Sequence, residues 1–216
     1  MGTTLPKQYL RIAGIPVLAY TLSVFDALSQ CTRLIIATDD RPRTERLLAE
    51  YPLSTETVLV DGGPMRQDSV ANMLTACPDT EGLVLIHDAA RPCITSGEIL
   101  AVVRAVETHG AAVLALPSRD TVKMVRDGCV ERTLDRRTIW MAQTPQGSRV
   151  SVFQQAVSIA RMDGYFGTDD VELLERIGAP VAVVEGLPTN VKITVPEDLS
   201  LAEAILRTQG RVVSAL

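Results

Sequence analysis

Short apolar runs alternate along the chain with stretches in which apolar residues recur every three or four positions, and the alternation sets the expected elements. Leu34–Thr38, Thr57–Val60, Leu83–Ile86 and Ala111–Pro117 are short enough for buried strands of a parallel sheet. Val17, Leu18, Leu22, Phe25 and Leu28 mark a helix entered through Pro16. Thr44–Tyr51 is a short helix stopped by Pro52, and Val70, Met73 and Leu74 share the face of a third. A fourth helix runs from about Ser96 to Thr108, with Ser96 as N-cap.

After Pro117 the pattern changes. Thr121–Val125 and Cys129–Leu134 flank Arg126-Asp127-Gly128, and Asp-Gly between β-prone runs signals a hairpin. Trp140–Gln146 returns the chain to the body, followed by helices over Val150–Ile159 and Thr168–Ile177, the second capped by Thr168 or Asp169. Val181–Glu185 and Val191–Thr194 read as short strands and Pro196–Leu206 as a closing helix. Alternating strand and helix implies an α/β class fold, a doubly wound, mostly parallel sheet forming one domain over residues 1–216.

Composition narrows the class. The 216 residues are 46% hydrophobic with a net charge of −5, which suits a buried core and argues against a nucleic-acid partner. No apolar run is long enough to span a bilayer and no cleavable signal pattern opens the chain, so no membrane partner is expected. Cys31, Cys77, Cys93 and Cys129 are scattered without a CxxC pair, which matches a reducing cytoplasm. With only two histidines, His87 and His109, a zinc site is not expected.

The candidate chemistry lies at strand ends. In Leu83–Pro92 an apolar run stops abruptly at His87-Asp88, and Arg91 follows three residues after Asp88. In open α/β sheets ligands bind beyond the carboxyl ends of strands, where a carboxylate and a guanidinium suit a polyol or an anion. The plainer alternative is a turn in which Asp88 caps the next segment and pairs with Arg91. Lys7, the segment from Gly62-Gly63 to Ser69, Arg119 to Lys123, Arg136, Thr144, Asp169 and Lys192 also fall at loops or strand ends. Their cationic bias within an acidic protein suggests a phosphate pocket. Gly62-Gly63 could bring backbone amides near a nucleotide, or could be only a tight turn. Neither a GKS/T loop nor GxGxxG is present, which removes P-loop and common dinucleotide enzymes.

PKQY at Pro6–Tyr9, DGGxxRxDSV at Asp61–Val70, HDAARP at His87–Pro92 and RDTVK at Arg119–Lys123 occur in order. LDR at Leu134–Arg136, TPQ at Thr144–Gln146, TDD at Thr168–Asp170 and NVKIT…PEDL at Asn190–Leu199 follow. The ordered set resembles the 2-C-methyl-D-erythritol 4-phosphate cytidylyltransferase family of the non-mevalonate isoprenoid pathway. The resemblance implies a Rossmann-like nucleotidyltransferase sheet with a protruding β-hairpin arm at about residues 119–138. It implies a reaction joining CTP to the polyol phosphate with Mg²⁺ carried mainly on the CTP phosphates, and it assigns no direct metal ligand. Lys7 would stabilise triphosphate charge, and Arg136 and Lys192 would hold the attacking phosphate. Asp88, Ala89, Arg91, Thr121 and Thr144 would line the substrate site, with Gly62, Gly63, Arg66 and Ser69 at the nucleotide. The arm would exchange between subunits of a homodimer, so that Arg136 and Thr121 act across it.

One departure accompanies the resemblance. Family members carry a strand and a loop of the form AAGxGxRMG ahead of PKQ, whereas Met1-Gly2 aligns with the last two loop residues. The strand, the amides that cradle the triphosphate and a catalytic arginine are then expected to be lacking, leaving neighbouring strands exposed. Rival readings are another polyol-phosphate cytidylyltransferase such as one for ribitol phosphate, a non-catalytic nucleotide-binding module, and a sugar-nucleotide pyrophosphorylase. RDTVK, LDR and TPQ favour the methylerythritol family.

Overall fold

The computed structural model describes residues 5–78 and 80–212; Met1 and Gly2, and with them the loop alignment, lie outside the described residues. A 3₁₀ turn at Lys7–Tyr9 leads into a tight hairpin of β1 (Arg11–Ile12) and β2 (Ile15–Pro16), and Pro16 passes directly into α1 (Val17–Asp26). The chain continues through β3 (Arg33–Thr38), α2 (Arg41–Glu50), β4 (Glu56–Asp61), α3 (Arg66–Thr75), β5 (Leu83–Ile86), α4 (Ser96–His109) and β6 (Ala111–Pro117). The arm comprises β7 (Lys123–Arg126) and β8 (Cys129–Thr133), and β9 (Trp140–Arg149), α5 (Val150–Met162), α6 (Val171–Arg176), β10 (Ala182–Glu185) and α7 (Glu197–Thr208) complete the chain.

Each central strand sends alternate side chains to opposite layers, as the two-residue period of a strand requires. Ala112 and Leu114 of β6 and Leu83 and Leu85 of β5 pack with Leu18, Leu22 and Phe25 of α1 and Ile99, Val102 and Val106 of α4. Ala111, Val113, Val84 and Ile86 face the other way, onto Val70 and Leu74 of α3, Phe153 and Val157 of α5, and Leu173 and Leu174 of α6. Burial on both faces is why these strands read as unbroken apolar runs. A third cluster ties Ile12 and Val17 to Ala202 and Leu206 of α7, with Ala90 and Cys93 from the loop after β5.

The strand order β10-β6-β9-β5 places β9 antiparallel between two strands, while β3 pairs in parallel with β4. Sequence reading takes Trp140–Gln146 only as a return segment; it is the start of a ten-residue strand at the middle of the larger sheet. Gln143, Thr144, Gln146 and Ser148 of this strand are buried. Among the described residues β3 and β5 each pair along one edge only, although both contribute to the cluster beneath α1. Residues Val191–Thr194 form no strand; the amide of Ile193 is instead bonded to the Ala90 carbonyl at 2.9 Å.

Two helix starts also differ from the reading. Thr95, not Ser96, caps α4: its Oγ1 accepts from the Glu98 amide at 3.3 Å, and Glu98 Oε2 accepts from the Thr95 amide at 3.1 Å. This reciprocal capping box satisfies two donors that a helix end leaves open. The helix expected from Thr168 begins at Val171, and Asp169 Oδ1 accepts from the Glu172 amide at 3.0 Å. The arm turns where Asp-Gly requires it, Asp127 and Gly128 having φ of 50° and 77°.

Candidate active site

The loop after β5 is pinned through several of its backbone groups. The Asp88 amide donates to Thr144 Oγ1 at 3.0 Å, and the Asp88 carbonyl accepts from the Arg91 amide at 3.0 Å. The Ala89 carbonyl accepts from Thr21 Oγ1 of α1 at 2.9 Å, and the Ala90 carbonyl from the Ile193 amide. Main-chain groups so paired do not need water, which lets the loop sit against α1 and β9 with Ala90 only 4% exposed.

On this platform stands Asp88, whose carboxylate meets Lys192 Nζ at 2.9 Å, Arg91 Nε at 3.2 Å and Arg66 Nη2 at 3.8 Å. Burial works against its charge, but the hydrogen bond and charge of Lys192, followed by Arg66 and Arg91, outweigh it and hold the pKa below the ordinary carboxylate value. Lys7 is near enough to feel Lys192, Asp88 and Arg91. Burial first, then repulsion from Lys192, lowers its pKa. Arg66 is claimed elsewhere: its guanidinium makes a two-pronged pair with Asp170 at 2.5 and 2.6 Å. Lys7, Arg91 and Lys192 thus gather around one carboxylate. This local positive excess suits a phosphate-bearing ligand.

Lys7, Arg66, Asp88, Arg91, Thr144 and Lys192 are brought together, with Ala89 beside them in the loop. Arg136 and Thr121 are not. Arg136 lies on the 3₁₀ turn at Arg136–Thr138, exposed, with Nη1 donating to the Arg119 carbonyl at 2.8 Å, and Thr121 is exposed at the base of the arm.

The glycine pair needs a correction. The Gly62 amide donates to the Thr38 carbonyl at 3.0 Å and the Gly63 amide to Ser69 Oγ at 2.9 Å, so neither amide is left to meet a nucleotide. Gly63 is required for close packing, since a Cβ there would run into the Asp68 Cβ and main chain, whereas at Gly62 it would meet only the movable carboxylate of the exposed Asp39. The turn still offers a ligand the Ser69 hydroxyl hydrogen and the first amides of α3 at Arg66 and Gln67.

Four residues of the site escaped the reading although three of them lie in the quoted motifs. Gln146 accepts at Oε1 from the Asp170 and Val171 amides at 2.9 and 3.0 Å, and thereby seats α6 beside β9. Asp170 anchors Arg66. Asn190 is fully buried, its carbonyl accepting from Arg91 Nη1 at 2.9 Å and its amide nitrogen donating to the Thr144 carbonyl at 2.9 Å. Gln143 donates weakly to the Leu187 and Asn190 carbonyls, each at 3.4 Å. A polar residue inside an otherwise buried strand is the signal that could have found the two glutamines.

Among the described residues no three His, Cys, Asp or Glu side chains gather as if to hold a metal ion, and no helix is long and apolar enough to cross a membrane. The oxygens of Asp88 already face Lys192, Arg91 and Arg66. The donor set therefore fits Mg²⁺ only as an ion held chiefly by the phosphates of a bound nucleotide.

Comparison with known proteins places this geometry. The family model described as 2-C-methyl-D-erythritol 4-phosphate cytidylyltransferase matches residues 1–208. A protein of that name from Pelotomaculum thermopropionicum is 44% identical over 221 aligned positions, covering 100% of this chain and 92% of its own. One from Geobacillus kaustophilus is 42% identical over 211, covering 97% and 92%. The crystal structure of the Thermus thermophilus enzyme of the same name superposes with a TM-score of 0.78 at 36% identity, covering 94% of each chain. The match runs through every strand and helix that positions Asp88 and Lys192, and the chain belongs to the 2-C-methyl-D-erythritol 4-phosphate cytidylyltransferase family.

Proposed function

We propose that the Asp88 centre carries the family's reaction, cytidylyl transfer from CTP to 2-C-methyl-D-erythritol 4-phosphate in non-mevalonate isoprenoid synthesis. The observation that carries the assignment is the gathering of Lys7, Arg91 and Lys192 about one partly buried carboxylate. A phosphate oxygen of the polyol attacks the α-phosphorus of CTP; the new P–O bond forms as the bond to the β-phosphate oxygen breaks, and pyrophosphate leaves with the electron pair. The attacking monoester has a second pKa of about 6, so near neutrality it is already ionised and needs no general base. Catalysis then rests on placement and on fixed positive charge. Lys7 faces the triphosphate and stabilises the charge that grows on the leaving group. Lys192, aimed by its ion pair with Asp88, holds the attacking phosphate in line. Arg91 fixes the Asp88 carboxylate, and the Asp88-Ala89 loop together with Thr144 of β9 borders the polyol. Mg²⁺, carried on the CTP phosphates, supplies further charge neutralisation when the nucleotide is bound.

The remaining cation, Arg136, joins this centre from a second copy of the chain in a homodimer. The arm's two strands form a sheet of their own. A lone two-stranded hairpin is marginal in water and needs a surface to pack on. Val125, Val130, Trp140 and Met141 are 57%, 60%, 40% and 52% exposed, an apolar surface ready for such packing. Subunit mixing tests the arrangement. When Arg136→Ala and Lys7→Ala chains are reassociated at random, half the dimers are mixed and each has one intact site of two, so activity should reach about one quarter of wild type. Activity no higher than either parent would mean that each site is built within one chain.

A further inference from the structure

His87 is used by none of the steps above, yet its ring bridges the loop of Asp88 and Arg91 to strand β9. Its Nε2 lies 3.3 Å from the Arg91 carbonyl and its Nδ1 lies 3.1 Å from Thr144 Oγ1. The same Thr144 oxygen accepts the Asp88 amide at 3.0 Å.

The directions of these bonds follow by elimination. A carbonyl can only accept, so Nε2 carries the proton that faces Arg91. On the other side, withdrawal of the ring from water, packed at 5.1 Å from the ring of Phe25, pulls the imidazole pKa down to about 4; the Arg91 carbonyl, the Asp88 charge and the Thr144 main chain oppose this more weakly, and the Arg91 charge adds to it. A neutral ring protonated on Nε2 has a bare Nδ1, which must accept. The Thr144 hydroxyl hydrogen therefore points at His87, and its lone pairs are turned to the Asp88 amide.

We propose that His87 is a positioning residue of the reaction centre, a neutral Nε2–H imidazole that orients the Thr144 hydroxyl and through it fixes the main chain of Asp88. Asp88 in turn aims Lys192, so a shift of its backbone moves the cation that meets the substrate phosphate. The importance of that movement rests on the function proposed above; the hydrogen-bond relay does not.

The test begins with the unaltered 216-residue chain. Long-range ¹H–¹⁵N correlation spectra, with the exposed His109 assigned through a His109→Gln variant, should show His87 protonated at Nε2 and bare at Nδ1 from pH 8 down to pH 5.5. A proton on Nδ1, or an imidazolium at pH 6, overturns the proposal. Three variants then separate the two sides of the ring. His87→Phe keeps the shape and removes both nitrogens, His87→Asn can still accept from Thr144, and His87→Gln reaches only toward the Arg91 carbonyl. Exchange of the Asp88 amide should be about tenfold faster in the Phe and Gln variants, and close to wild type in the Asn variant. Equal protection in all, or rescue by Gln and not Asn, contradicts the relay through Thr144. Affinity for 2-C-methyl-D-erythritol 4-phosphate should follow the same order. If the unaltered chain does not bind that compound, the assigned substrate falls, while the tautomer and the exchange rates still decide the role of His87. If His87→Phe fails to fold, the spectra of the unaltered chain remain decisive.

Discussion

Replacing Lys192 by alanine is expected to lower kcat about a hundredfold while leaving the melting temperature almost unchanged. The side chain is 39% exposed, so its removal opens no cavity, and Asp88 keeps Arg91 and Arg66 as partners. What is lost is one preorganised charge beside the transferring phosphoryl group, a loss that commonly raises a barrier by roughly 3 kcal/mol. Lys7→Ala should behave alike, since Lys7 stands in the same field. The comparison is made at saturating CTP, with thermal melts of each variant alongside. Near-normal turnover in either variant removes that lysine from the reaction.

Arg66→Ala should give the opposite signature, a large loss of stability. Its partner Asp170 is 2% exposed and sits in a two-pronged pair with the guanidinium. Asp170 more than offsets the burial of Arg66 and raises the arginine's pKa, whereas at the more deeply buried Asp170 loss of water outweighs Arg66 and raises the carboxyl's pKa. Truncating the arginine strands the buried Asp170 carboxyl, at a cost of about 2–3 kcal/mol once the 44% exposure of Arg66 and the raised pKa of Asp170 are allowed for. Denaturant unfolding measures it directly. Combining Arg66→Ala with Asp170→Asn should recover part of the loss, because the stranded charge is then gone. A single variant that unfolds within about 1 kcal/mol of wild type would show the pair to be no more than a surface bridge.

The parts of the fold legible in the sequence are those in which burial and periodicity agree. Leu83–Ile86 and Ala111–Pro117 are unbroken apolar runs because both faces are covered, and the Asp127-Gly128 turn is fixed by backbone geometry. Strand β9 was hidden because the residues at its heart are polar. Gln143, Thr144, Gln146 and Ser148 are buried with their side chains bonded to distant residues, Leu187, Asp88, Asp169 and Gly110 in turn, an arrangement that no local pattern encodes. The same cause hid Gln146 and Asn190 from the site, since their partners lie 24 and 99 residues away in the chain. The helix start at Thr95 in place of Ser96 turned on which hydroxyl faces the Glu98 amide, a choice between adjacent residues that spacing leaves open. Asp88, Arg91 and Lys192 were readable because they follow strand ends and motifs. Their convergence on one carboxylate was not.

The central claim is that this cluster joins CTP to a methylerythritol phosphate. Its most direct test is pyrophosphate release by the full-length protein, given CTP, Mg²⁺ and either 2-C-methyl-D-erythritol 4-phosphate or ribitol 5-phosphate. One pyrophosphate should appear for each methylerythritol phosphate consumed, with slow or no turnover of the ribitol compound. Preference for ribitol phosphate, or no turnover of methylerythritol phosphate by the folded protein, would contradict the assignment.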